Sequence, residues 1–143
     1  NFSIMARLSL NLKFIEKLSP EMCGIGPFVP HKDTKFKNEN HGDVSLVLML
    51  LSIIRLLKPN ILLPATTALG TVDPLGREKG ILHGANVVMP NLSPVKHRKD
   101  YSLYDNKICT GDEAAQCIGC LADRMKKIGF EIVTDRGDYK ADI

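Results

Sequence analysis

Apolar residues recur along the chain in two rhythms, and the alternation between them predicts its elements. Over 5–18 they return at helical spacing, with Leu8, Leu12 and Ile15 on one face and Lys13, Glu16 and Lys17 elsewhere. Ser19-Pro20 ends that helix. Residues 22–29 form a short continuous apolar run, read as a buried strand entering a loop. Its two glycines and a proline point to close backbone approach. A polar, turn-rich loop follows over 30–42. Asp43 is a good N-cap for a helix over 44–57. Eleven of those fourteen positions are apolar, and Ser45, Ser52 and Arg55 fall on one narrow stripe. Such a helix is buried on most sides. Residues 61–65 predict a second strand, with Thr66-Thr67 at its end. Asp73-Pro74 opens a further helix that stops at Gly84. Residues 85–90 predict a third strand, and an irregular polar stretch runs to Lys107. Thr110 and Glu113 match a capping box. The helix after it carries Ala114, Ile118, Leu121, Met125 and Ile128 as its core stripe and ends near Gly129. The tail over 130–143 is charged and expected to fray.

This order of strands separated by single helices predicts three parallel strands with their helices and a C-terminal helix, a slice of a (βα) barrel. In such folds the C-terminal strand ends carry the ligands. A complete barrel takes about 250 residues, and this chain has 143. The chain starts at Asn1, and the expectation is a piece of a longer protein.

Composition narrows the function classes. The chain is 44% hydrophobic and 24% charged, with a formal net charge of +3. These are ordinary globular values. The basic residues are scattered, which argues against a nucleic-acid partner. No apolar run reaches the roughly 18 residues of a membrane span. There is no signal-peptide pattern.

Four cysteines are present, and Cys109, Cys117 and Cys120 lie within twelve residues. Clustering favours metal ligation in a reducing compartment over a disulfide framework. Three converging thiolates could hold an iron–sulfur cluster or a zinc ion, with His97 as a conceivable fourth ligand. Three half-buried cysteines on an amphipathic helix are the plain alternative. Cys23, in an apolar run, reads as a buried inert thiol. The four histidines read as surface or loop residues. Thr66 and Thr67 suit either a ligand cavity or a hydroxyl turn. Arg77-Glu78-Lys79 reads as a solvated helix face, and Met89 as core.

Several of these segments also resemble a known family. The run Met22-Cys23-Gly24-Ile25-Gly26-Pro27-Phe28-Val29-Pro30-His31-Lys32-Asp33-Thr34 is similar to the sixth-strand segment of HydE, the radical S-adenosylmethionine maturases of the iron–iron hydrogenase cluster. Pro64-Ala65-Thr66-Thr67-Ala68-Leu69-Gly70-Thr71 resembles the seventh, and Gly84-Ala85-Asn86-Val87-Val88-Met89-Pro90-Asn91 the eighth. Tyr101, Tyr104 and the three-cysteine spacing also match. The resemblance runs in order from about Leu12 to Gly129.

The resemblance implies a partial TIM-type barrel holding S-adenosylmethionine and, in the parent enzyme, a 4Fe-4S cluster. Ile25, Pro27 and Val29 would lie beside the adenosyl group. Thr66, Thr67, Met89, Tyr101 and Tyr104 would line the substrate end. Cys109, Cys117 and Cys120 would bind an accessory iron–sulfur cluster. The implied partners are the missing N-terminal half and the other hydrogenase maturases, in the cytoplasm.

The catalytic C-x3-C-x2-C motif is absent. Only Cys117 and Cys120 have C-x2-C spacing, and Glu113 stands four residues before them. No catalytic residue is therefore assigned, and the chain alone is expected to be inactive. Residues 1–10 do not resemble the family and are expected to be unrelated or disordered. Two other readings remain open: a small non-enzymatic iron–sulfur or zinc protein, and one half of a split maturase.

Overall fold

The computed structural model describes residues 2–101, 103–106, 108 and 114–140. The capping box over 110–113 and Cys109 lie outside them. Five α-helices are present among the described residues: α1 (Phe2–Leu18), α2 (Val44–Leu57), α3 (Thr67–Val72), α4 (Gly76–Leu82) and α5 (Ala114–Lys127). A 3-10 segment runs over Val95–Tyr101. The helix expected over 5–18 starts earlier, taking in residues read as unrelated or disordered.

The predicted partial (βα) barrel is not what forms. No β-strand occurs among the described residues, and helices and loops make up the fold. The three apolar runs touch through two isolated parallel bridges, Met22 with Leu62 and Pro64 with Val87. Cys23 N–H donates to the Leu62 carbonyl and Leu62 N–H to Glu21, while Val87 N–H donates to Leu63 and Ala65 N–H to Val87. The middle run thus lies between the other two. The pairing goes no further for local reasons. Pro27, Pro64 and Pro90 have no N–H to continue a ladder. The Thr66 hydroxyl accepts from Leu69 N–H and starts α3 at once.

Helix α2 matches its predicted bounds because Asp43 caps it, accepting from the Ser45 and Leu46 amides. Its Val47, Leu51 and Ile54 join Ile61, Leu63, Ala65, Leu69, Ile81 and Ala85 in one core, closed on α5 by Leu121 and Met125. Leu12 and Ile15 of α1 pack against that core. The polar stripe of α2 is used in packing too. Ser52 Oγ donates to a backbone carbonyl, either Leu48 or His83, and Arg55 Nε donates to the Gly84 carbonyl at 2.8 Å. Gly84 accepts this contact with φ +103, where an added Cβ would meet Arg55.

Candidate functional site

The candidate site lies where the three apolar runs end. Residues 24–29 alternate in exposure: Gly24, Gly26 and Phe28 are exposed, Pro27 and Val29 buried, and Ile25 half-buried. Ile25, Pro27 and Val29 thus share the side that faces the protein itself. Gly26 lies against the neighbouring run, where a Cβ would come within 2.7 Å of Thr66 Oγ1. A Cβ there would push the Thr66 hydroxyl from its place. Gly42 closes the 31–41 loop by donating its N–H to the Phe28 carbonyl at 2.9 Å.

The two threonines have different surroundings. Thr66 Oγ1 is occupied as the N-cap of α3. Thr67 Oγ1 accepts from Arg77 Nη2 at 3.2 Å, and the Thr67 carbonyl accepts from Thr71 Oγ1 at 3.0 Å. The segment after the 3-10 turn spans this edge. Asp105 N–H donates to the Pro30 carbonyl, and Ile108 N–H donates to Thr71 Oγ1. Tyr104, half-buried, is thereby carried beside the end of the first run. Arg98, buried in the 3-10 turn, braces the preceding loop by donating to the Ser93 and Asn91 carbonyls. Met89 stands apart at 52% exposed, so its reading as core is corrected. It ends the run that is bridged to Pro64 at Val87. Tyr101 is described through its backbone alone, at the end of the 3-10 segment.

Sequence reasoning missed Arg77 and Glu78. They were read as a solvated face, yet Arg77 is 3% and Glu78 7% exposed. The available signal was the glycine spacing around them. A Cβ on Gly76 would sit 2.2 Å from the Leu69 carbonyl oxygen, and one on Gly80 would sit 3.1 Å from Leu69 Cδ2. These two glycines draw α4 against α3. Glu78 is then enclosed by α5, where Arg124 donates to both its carboxylate oxygens at 2.5 and 2.6 Å. Burial is the largest influence and pushes the Glu78 carboxyl up, but the Arg124 hydrogen bonds, a backbone hydrogen bond and the charges of Arg124 and Arg77 together outweigh it and hold it below the usual range.

The cysteines do not assemble among the described residues. Cys117 is 3% exposed on the buried stripe with Leu121 and Met125, whereas Cys120 is exposed. A residue three positions along a helix is rotated about 60° backward, and here that carries Cys120 off the buried stripe. Cys109 lies outside the described residues. No group of three or more His, Cys, Asp or Glu side chains able to hold a metal occurs among the described residues. His97 is exposed and faces Asp100 at 3.6 Å. The accessory cluster therefore has no support among the described residues. Cys23 is half-buried, and burial pushes its thiol up, in keeping with an inert thiol. Among the described residues no helix is long and apolar enough to cross a membrane.

No family model matches the chain. Comparison with curated proteins sets it beside the maturases of [FeFe] hydrogenase. The relative is the [FeFe] hydrogenase maturase subunit HydE of Thermotoga maritima, 42% identical over 130 residues, which is 91% of this chain. The chain is HydE-like over that stretch, and it spans 37% of the length of that relative.

Proposed function

We propose that the chain is the C-terminal part of a HydE-type radical S-adenosylmethionine maturase acting in assembly of the hydrogenase cluster, in the cytoplasm. The observation that carries this reading is the 42% identity across nine-tenths of the chain. Residues 1–143 then act as one unit of a larger enzyme. Ile25, Pro27 and Val29 are its contribution beside S-adenosylmethionine. Thr66, Thr67, Met89, Tyr101 and Tyr104 are its contribution at the substrate end. In such an enzyme an iron–sulfur cluster held by residues outside this chain would supply the electron for cleavage of S-adenosylmethionine. The C-x3-C-x2-C ligands for that cluster are not in this sequence, so the chain's own role is to bind and orient.

Complementation tests this. The chain is co-expressed anaerobically with the part of the Thermotoga maturase that lies outside the matched stretch. Reductive cleavage of S-adenosylmethionine is then measured, together with maturation of a hydrogenase. The expected result is no cleavage by the chain alone and maturation only with both pieces. Cleavage by the purified chain alone, or a soluble pair that never matures hydrogenase, would overturn the proposal.

A further inference from the structure

The loop over 31–41 holds its shape through its own polar groups. The His31 carbonyl accepts from the Thr34 amide at 3.1 Å and from the Thr34 hydroxyl at 2.9 Å. Thr34 Oγ1 in turn accepts from the Phe36 amide, and the Phe36 carbonyl accepts from Glu39 N–H. The loop closes where Gly42 donates to the Phe28 carbonyl. A Cβ on Gly42 would lie 2.6 Å from the Phe28 nitrogen, so the closure is tight. A compact surface loop with joined ends of this kind is shaped before any partner arrives.

What the loop presents is apolar. Phe36 packs edge-on against Phe28, with ring centroids 6.1 Å apart and planes at 82°. The pair covers only part of itself: Phe28 stays 46% and Phe36 47% exposed, and neither belongs to the core. Every residue over 32–41 is exposed. Two phenylalanines held half in water carry a cost that the packing of this chain does not remove.

The cations beside the rings are unpaired. Lys35 Nζ stands over the Phe36 ring, 5.1 Å from its centroid, and Lys32 and Lys37 lie on either side of it in the loop. Among the described residues none of the three lysines is in an ion pair. Asp33 faces His31 at 3.8 Å, and neither it nor Glu39 pairs with a lysine. Aromatic side chains on a preshaped loop, with free charge at their rim, have the make-up of an interface anchor.

We propose that Phe28 and Phe36 form a docking knob for a second protein, one that presents an apolar pocket rimmed by carboxylates. The pocket takes the rings, and the carboxylates meet Lys32, Lys35 and Lys37 and steer the approach. The knob stands at the end of the first run, where the Pro30 carbonyl accepts from Asp105 N–H, so the partner sits beside the candidate site.

The test uses the full chain, with a displayed library of random peptides as probe. Peptides are selected on wild type and depleted on Phe36→Ser, whose fold is checked by circular dichroism. The expected result is a set rich in Asp and Glu around one or two large apolar residues. Their binding weakens roughly ten-fold or more in Phe36→Ser and in Lys32→Glu/Lys35→Glu/Lys37→Glu. It also falls in wild type as salt is raised, and Lys32→Arg/Lys35→Arg/Lys37→Arg retains it. Should Phe36→Ser fail to fold, the two lysine variants carry the comparison. Peptides without acidic enrichment, or binding that the charge-reversed variant leaves unchanged, overturn the carboxylate-rimmed partner. A library that yields no peptide dependent on Phe36 or the lysines overturns the knob itself. The last arm repeats the binding on the chain co-expressed with the remainder of the Thermotoga maturase. Peptides that still bind the assembled pair support a second protein. Peptides shut out by the pair place the rings in a contact within one enzyme and overturn it.

Discussion

Single residues differ here by what their backbone meets, and the glycines show it most sharply. Gly76 and Gly119 both lie in helices, where alanine is ordinarily better by about 0.5–1 kcal/mol. At Gly119 a Cβ meets nothing within 4 Å, so Gly119→Ala is expected to stabilise by about that amount. At Gly76 the same Cβ would lie 2.2 Å from a backbone oxygen. Neither group can turn away, and α4 must lift off α3. Gly76→Ala is expected to destabilise by roughly 1–3 kcal/mol, as overpacking does. Urea titrations of the two variants check this, and equal signs would contradict it. At this scale the sequence was partly legible. The glycines of 22–29 announced close backbone approach, and Gly26 provides it. Arg77 was not legible, because an Arg-Glu-Lys triplet reads as solvent-facing until the glycines beside it are set against Leu69.

At the scale of elements, the Arg124–Glu78 ion pair ties α5 to α4 beside the apolar stripe. Arg124 spans Glu78 and the Pro74 carbonyl, joining α5 to α4 across 46 residues of sequence. Hydrogen bonds to charged groups contribute about 1.5–3 kcal/mol. Glu78→Gln is expected to cost in that range at neutral pH. The sign with pH follows from the depressed Glu78 carboxyl. The folded state binds that proton less readily than the unfolded one. The contribution is therefore full above the unfolded value, about 4.3, and fades as pH falls through the lower folded value. Thermal unfolding of wild type and Glu78→Gln should show a constant gap above about pH 5 that closes under acid. A gap independent of pH would remove the pairing from the account. Helix α2 was legible to the residue because Asp43 and its apolar run are local signals. The strands were not. Their apolar runs are real and adjacent, but a ladder needs successive donors, and prolines and the cap at Thr66 interrupt them.

For the whole molecule the question is what the chain leaves uncovered. Leu10, Phe14 and Leu18 are 66%, 62% and 59% exposed, and they fall at i, i+4 and i+8 along one face of α1. On α2, Leu56 is 81% exposed. Between α1 and α2 an apolar groove of about 250 Å³ is lined by Leu8, Leu12, Ile15 and Ile54 among others. Scattered apolar residues on a surface need no explanation, but an aligned stripe beside an apolar groove marks an interaction face. Under the proposed function the occupant is the rest of a HydE-type enzyme, and this chain spans 37% of the relative's length. Without that occupant, copies of the chain have only each other to cover the stripe. Sedimentation should therefore show association that grows with concentration, abolished in Leu10→Ser/Phe14→Ser/Leu18→Ser. The triple variant should also fail to join its complement in the co-expression experiment while keeping the thermal unfolding of the core, because none of the three side chains belongs to that core. A wild-type chain that stays monomeric at every attainable concentration, or a triple variant that still matures hydrogenase with its complement, would show that this face of α1 is merely solvated.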